Sequence, residues 1–387
     1  MKKILWLSDS PFIHTGFATI SRNLLNHFSR SGHECHFLDH INAMQTVLPG
    51  TRLNDGETLN FHIHGRGNEP YYKDLIMPTI KEHKADVFGV LLDTFMVYPW
   101  FLDLDLSPAK SIFYFPSDGG GNLPLGCENV LRKVDCPVAM SMFAQKQAKE
   151  IHGIDTKYIP HAIDTSFYHP LSDEDKLRIK NQWGLAGKFV MGIVARNQGR
   201  KMLDRALSSF VKVKDQMPNA VLFMHCDPYD PASYFNFPAL IQRYHLENRV
   251  IFSGTRYFKA FDYAKMNELY NLMDVFFLPT SGEGFGIPTI EAMAAEIPII
   301  ITDYTTTNEI VTRNNAGEAI KVSDEILGTW NVERGIMAKD DAAEKMLKIY
   351  KDENLRREYG KNGRKAAVRD YEWRDVSQQW TQLINNL

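Results

Sequence analysis

No stretch of this 387-residue chain approaches the ~18 consecutive apolar residues of a membrane-spanning helix, so stable membrane insertion is not expected. Cysteine is scarce: Cys35, Cys127, Cys136 and Cys226 are scattered, with no close CxxC pair. They read as free thiols in a reducing cytoplasm rather than as disulfide partners or metal ligands. An excess of one charge is missing too, since 44 Lys and Arg stand against 47 Asp and Glu, a formal net charge of -3. Bulk charge therefore gives no reason to expect a polyanionic partner, although a local basic patch would still suffice for one. There is no low-complexity segment and no short internal repeat. Histidines occur in "HIHG" (His62, His64) and "HCD" (His225, Cys226), but neither has a second half at ligand spacing, so no metal site is expected. The N-terminal "MKKILWLSDSPF" has the lysines and apolar run of a signal peptide, yet Ser8, Asp9, Ser10 and Pro11 break the run early. It reads as a first strand, and the protein is expected to be soluble and cytoplasmic.

What is present is the composition of an ordinary globular protein, 44% hydrophobic and 24% charged. The chain is longer than one core usually reaches, which favours two domains. Short apolar runs alternate with amphipathic stretches, the pattern of a parallel sheet with crossover helices. "KILWLSD", "CHFLDH", "FHIHG", "DVFGVLLD", "SIFYF", "PVAMS" and "KYIPHA" read as strands, and "GFATISRNLLNHFSRSGHE" as a helix ending before Gly32. After "PHAIDTSFYHPLSDEDKLRIKNQWGLAGK" the alternation restarts with "FVMGIVA", "VLFMHC", "RVIFSG", "VFFLP", "PIIITD" and "EAIKV". The expected fold is α/β, two doubly wound Rossmann-like domains over 1–164 and 165–366. In the final segment, 367–387, Tyr371, Trp373, Val376, Trp380 and Leu383 share one helical face. Such a face predicts packing against a surface formed by both domains.

The most telling segment is "FFLPTSGEGFGIPTIEAMAAEIPIIITD", residues 276 to 303. Between two buried strands it must turn and form a helix. Pro288 suits the first helical turn, placing Gly284 and Gly286 in the loop and Glu291 within that first turn. At the carboxyl edge of an open α/β sheet, free N–H groups at a helix start suit a phosphate, and glycines let the backbone approach it. Glu291 fits an acceptor for ribose hydroxyls and Glu283 one for a second sugar. Two blander readings stand beside this: solvated or dipole-stabilising acids, and a dinucleotide fingerprint ending at Asp303. Against the latter, Glu283 would sit against a pyrophosphate.

"EGFGIPTIE" with these flanks resembles the E-x7-E motif of retaining GT-B glycosyltransferases, particularly the large family 4 of sucrose, mannosyl and glucosyl transferases. The resemblance covers the second half and, more weakly, the first. It implies a GT-B fold, a nucleotide-sugar donor such as a UDP- or GDP-sugar, no other cofactor and no required metal. By the same resemblance Glu283 matches the acid on the donor sugar and Glu291 the acid on the ribose. Gly284, Phe285, Gly286, Ile287 and Thr289 match the loop meeting sugar and phosphate. "GIVARNQGRKMLDRAL" matches the loop where Arg196 and Lys201 would hold the diphosphate, with Arg200 and Arg205 read as solvated neighbours. Arg256 and Tyr257 match the base-contacting segment, and Gly16 the glycine near the donor phosphates. Many members carry a histidine and then an aspartate after the fifth strand. Here Pro116 and Asp118 stand there, leaving Asp118 as the candidate acceptor contact or base, with His14 a second acceptor-side residue. His161 and Asp164 match the interdomain connection.

The resulting expectation is a retaining, metal-independent hexosyltransferase. Its alternatives are an epimerase or phosphorylase of the same architecture, or a non-catalytic nucleotide-sugar-binding protein. The acceptor stays open among a glycan, a small glycoside, a protein and a nucleic-acid base. "NEPYYKDL" and "DTFMVYPWFLDLDL" read either as an aromatic acceptor cleft or as core. "QKQAKE" and "LRKV" are too short for a membrane-facing basic patch.

Overall fold

The computed structural model describes residues 1–13, 15–40, 46–53, 56–65, 67, 69, 73–230, 232–256 and 261–387. The first half contains β1 (Lys3–Ser8), β2 (Glu34–Asp39), β3 (Thr51–Arg52), β4 (Thr58–Leu59), β5 (His62–His64) and β6 (Val87–Leu91). β7 (Lys110–Phe115), β8 (Gly120–Gly121), β9 (Cys136–Ala139) and β10 (Lys157–Tyr158) follow. Its helices are α1 (Gly16–Arg30), α2 (Lys73–His83), α3 (Thr94–Phe101), α4 (Cys127–Lys133) and α5 (Met142–His152). Seven strands form one parallel sheet in the order β10-β9-β7-β6-β1-β2-β5. The apolar runs form strands because crossover helices bury both faces: every residue of β6 is buried, as is "ILWLS" of β1. α1 starts where Thr15 Oγ1 accepts a hydrogen bond from Ala18 N at 3.1 Å.

The second half contains α6 (Asp173–Gln182), β11 (Phe189–Val194), α7 (Leu203–Val213), β12 (Ala220–His225), α8 (Phe237–Tyr244), β13 (Val250–Phe252) and α9 (Tyr263–Asn271). β14 (Val275–Leu278), α10 (Ile287–Ala294), β15 (Ile299–Thr302), α11 (Thr307–Ile310) and β16 (Gly317–Ile320) come next. Then come β17 (Val322–Leu327), β18 (Val332–Met337), α12 (Lys339–Lys351), α13 (Glu353–Asp370) and α14 (Trp373–Asn386). The second parallel sheet runs β13-β12-β11-β14-β15-β16. In each sheet the order reverses beside a central strand, β1 next to β6 and β11 next to β14. At such a reversal the loops leaving neighbouring strands diverge and open a crevice at the carboxyl edge.

One element departs from the expected alternation. β17 and β18 form an antiparallel hairpin, and β18 adds β8 from the first half as a third strand. At the hairpin tip Trp330 stacks on Phe95 with ring centres 4.8 Å apart. Among the described residues, one apolar cluster holds side chains of both sheets together with α14. Trp380 of α14 lies edge-on to Tyr114 at 4.8 Å and to Trp6 at 6.0 Å. The tryptophan face therefore covers the first sheet, and Tyr371, just before α14, meets Phe285 of the second half at 5.6 Å. All four cysteines are free and buried. Among the described residues no helix is long and apolar enough to cross a membrane.

Candidate active site

The loop after β14 and the short 3-10 turn Gly199–Lys201 after β11 leave adjacent strands at the second sheet's carboxyl edge. Lys201 Nζ lies 2.6 Å from Glu283 Oε1, and Arg200 Nη1 3.3 Å from Glu283 Oε2. Glu283 is 5% exposed and Lys201 8%. Burial alone would raise the Glu283 pKa, but Lys201 and Arg200 more than offset it and hold the carboxyl at about 2. Burial and then Arg200 push the Lys201 ammonium down to about 8, against the pull of Glu283. The pair is thus ionised at neutral pH inside the protein.

α10 begins immediately after this loop. Gly286 is its N-cap, with φ +99°, a conformation that favours glycine. Pro288 lies at the helix start, as expected. Glu291 is the fifth helical residue, just past the first turn in which the sequence placed it, because α10 begins at Ile287. There Tyr270 Oη donates to Glu291 Oε2 at 2.6 Å, and burial raises the Glu291 pKa despite hydrogen bonds from Tyr270 and Tyr168. Thr289 is 1% exposed, and its Oγ1 has no hydrogen-bond partner among the described residues. An orphaned buried hydroxyl in the first turn of a helix is uncommon, and a ligand oxygen would satisfy it.

The first sheet supplies the facing wall. Asp118, after β7, is held by Arg334 of β18, whose Nη2 is 3.0 Å from Asp118 Oδ1, and its Oδ2 lies 3.9 Å from Arg200 Nε. Asp93, after β6, belongs to the same charge group. Burial first, then Asp118, raises its pKa to about 6, opposed by Arg200. Asp9, at the end of β1, accepts from Thr15 Oγ1 at 2.6 Å. The two walls touch. A Cβ at Gly282 would stand 2.0 Å from the Asp118 carbonyl oxygen, one at Gly284 3.1 Å from Pro116 Cβ, and one at Gly16 3.3 Å from Ile287 Cδ1.

Of the residues singled out in the sequence, Glu283, Lys201, Asp118, Gly284, Gly286, Ile287, Thr289 and Gly16 come together here. Phe285 sends its ring into the core, 5.1 Å from His161 and 5.6 Å from Tyr371. Arg196 and Arg256 pair instead with the loop after β12: Arg196 Nε is 2.9 Å from Asp230 Oδ2, and Arg256 Nη1 3.3 Å from Asp227 Oδ1. His14 and Tyr257 lie outside the described residues, as do Tyr71 and Tyr72 of "NEPYYKDL". In "DTFMVYPWFLDLDL", Val97, Trp100 and Phe101 are core while Asp93 faces the charge cluster. His161 and Asp164 lie between β10 and α6, and burial pushes His161 down to about 3, so it is a neutral core residue hydrogen-bonded to Tyr114 Oη at 2.8 Å. Sequence reasoning missed Arg200, Arg334 and Asp93. Only Asp93 had a signal, an acid closing a buried strand run at a carboxyl end.

Residues 175–366 match the family model described as glycosyl transferases group 1. This segment carries the sequence pattern of that family. Mannosylfructose-phosphate synthase of Agrobacterium fabrum is 24% identical over 265 residues, covering 66% of this chain and 54% of that protein. The capsular polysaccharide biosynthesis glycosyltransferase CapM of Staphylococcus aureus is 27% identical over 221 residues, 55% of this chain and 50% of that protein. The chain thus spans about half the length of the curated relatives it matches. Among solved structures, sucrose-phosphate synthase from Thermosynechococcus elongatus superposes with a TM-score of 0.78 at 16% identity, covering 100% of this chain and 99% of that one. Anabaena HepE in complex with UDP-glucose gives 0.74 at 17% identity over 100% of both chains. These likenesses establish the GT-B fold, in which the second half carries the loop of Glu283 and α10.

Proposed function

We propose that this chain transfers a hexosyl group from a nucleotide diphosphate sugar to an acceptor, with retention at the anomeric carbon and no metal at the reacting centre. The observation that carries this is the ionised Glu283, held by Lys201 and Arg200, beside an α10 start whose Thr289 hydroxyl has no hydrogen-bond partner among the described residues. The diphosphate takes the free N–H groups of α10 and Thr289 Oγ1, with Lys201 and Arg200 as its counter-charges. From the loop 284–286, Gly284, Phe285 and Gly286 contribute backbone. Glu283 accepts from hydroxyls of the donor sugar, and Glu291 from the ribose in exchange for its tyrosine partners. Arg196 reaches the diphosphate by leaving Asp230, and Arg256 and Tyr257 meet the base. Gly16 approaches the phosphates from the first domain.

In the step itself the C1–O bond to the diphosphate breaks, its electron pair staying on the departing oxygen. The acceptor oxygen bonds to C1 on the same face, and its proton passes to that departing oxygen. Asp118 and Asp93 orient the acceptor hydroxyl from the opposite wall. The domain limits proposed are 1–164 and 165–366, with 367–387 returning to the first domain, and the cleft closes to exclude water.

The first test is thermal unfolding with UDP, UDP-glucose and other sugar nucleotides, UDP-glucose leading because it is the ligand of the Anabaena relative. A matching donor should raise Tm and be hydrolysed slowly without acceptor, giving a product whose anomeric configuration NMR reads as retained. No stabilisation by any donor would overturn the reading. Turnover unchanged by a chelator supports the metal-free reaction, and its loss would refute that part.

A further inference from the structure

The sequence offers His62 and His64 without partners at ligand spacing, but the fold supplies them. β2 and β5 pair in the register His36 to His62 and Leu38 to His64, so all three histidines share one face at the edge of the first sheet. His83, the last residue of α2, closes over that face. His36 Nδ1 is 3.0 Å from His64 Nε2, and the ring centres of His64 and His83 are 5.0 Å apart. The rings of His36 and His83 stack at 4.1 Å, and those of His36 and His62 at 5.1 Å. One ring nitrogen from each of His36, His64 and His83 lies within 4.8 Å of the others. From its other side His36 places Nε2 3.0 Å from Glu34 Oε1.

From this arrangement we infer that His36, His64 and His83 form a binding site for a late first-row divalent cation, zinc above all. Imidazole nitrogens are suitable ligands for zinc, copper and nickel. At Zn–N distances of about 2.0–2.1 Å, two ligand nitrogens of a tetrahedral zinc stand roughly 3.3 Å apart. The His36 and His64 nitrogens are already near that separation, and the third closes with a shift of about 1.5 Å. Glu34 supplies the carboxylate that fixes a ligand histidine: with Nε2–H directed at Glu34, His36 presents an unprotonated Nδ1 to the cluster. His64 then coordinates through Nε2 by carrying its proton on Nδ1. His62, stacked on His36, or a water fills the remaining position. The site lies on the edge strand β5 and its neighbour β2, and the cation would tie β2, β5 and α2 together.

The test uses the full untagged chain, stripped with chelator, dialysed, and titrated with Zn²⁺ by calorimetry and with Co²⁺ by visible absorption. One equivalent should bind, Co²⁺ should give bands of nitrogen coordination, and Zn²⁺ should raise Tm. His83→Ala, at the half-buried end of α2, should cut the affinity at least tenfold and abolish the Tm shift, and Glu34→Gln should cost about 10- to 100-fold. No stoichiometric binding, or the same affinity in His83→Ala and His64→Ala, would overturn the site. If His64→Ala does not fold, His83→Ala decides alone. No donor is present in these measurements, so their outcome is independent of the glycosyl-transfer reading.

Discussion

Glu283 and Lys201 each determine what the other costs. Removing one partner of a buried ion pair leaves an uncompensated charge, at about 3–5 kcal/mol. Glu283→Ala and Lys201→Met should therefore each lower stability by that order, while the double variant loses clearly less than the sum, a coupling of about 1–3 kcal/mol in urea unfolding. Transfer activity should fall about 10²- to 10³-fold in all three, because the charge needed at the reacting centre is gone in each. Strict additivity in stability would mean the pair is not the buried contact described. The acid pair was legible in the sequence because glycines, Pro288 and two buried strands leave the loop few conformations. Which cation meets it was not legible. In a 3-10 turn successive side chains point about 120° apart, so Arg196, Arg200 and Lys201 in one loop cannot be sorted by spacing.

At the scale of the element, α10 makes the sharper case. Thr289→Val keeps the shape of the side chain and removes a hydroxyl with no partner among the described residues, so protein stability should be unchanged or slightly higher. Affinity for UDP, by calorimetry, should fall roughly tenfold, the worth of one hydrogen bond to a charged group. A large loss of stability with unchanged affinity would assign the hydroxyl to the fold instead. The strands of both parallel sheets could be read in the sequence because burial on two faces makes each an apolar run. The hairpin of β17 and β18 could not, because most of β17 is exposed and shows no alternation. Arg334, which holds Asp118, was hidden with it.

For the whole molecule, the halves meet again away from the site, where Glu309 of α11 accepts from Phe143 N at the start of α5 at 3.2 Å. Burial raises the Glu309 pKa to about 7, against helix-end N–H groups that favour its charge. A folded pKa above the unfolded value of about 4.5 means its stabilising contribution is complete below pH 4.5 and lost as pH rises through 7. Glu309→Gln should therefore gain on the wild type by about 2–3 kcal/mol between pH 4.5 and 8, read from urea midpoints at several pH values. A gap that does not widen with pH would show that the carboxyl is already ionised in the folded protein.

Ile163 lies on the passage from the first half to the second, and Tyr371 to Trp373 on the passage back. The two passages are laced by backbone bonds, Ile163 N to Tyr371 O at 3.0 Å and Trp373 N to Ile163 O at 2.8 Å. Two crossings fastened side by side make a pivot rather than a tether. If the chain turns over a nucleotide sugar as proposed, a swing about that point would release spent nucleotide, whereas sliding one half past the other would break the lacing first.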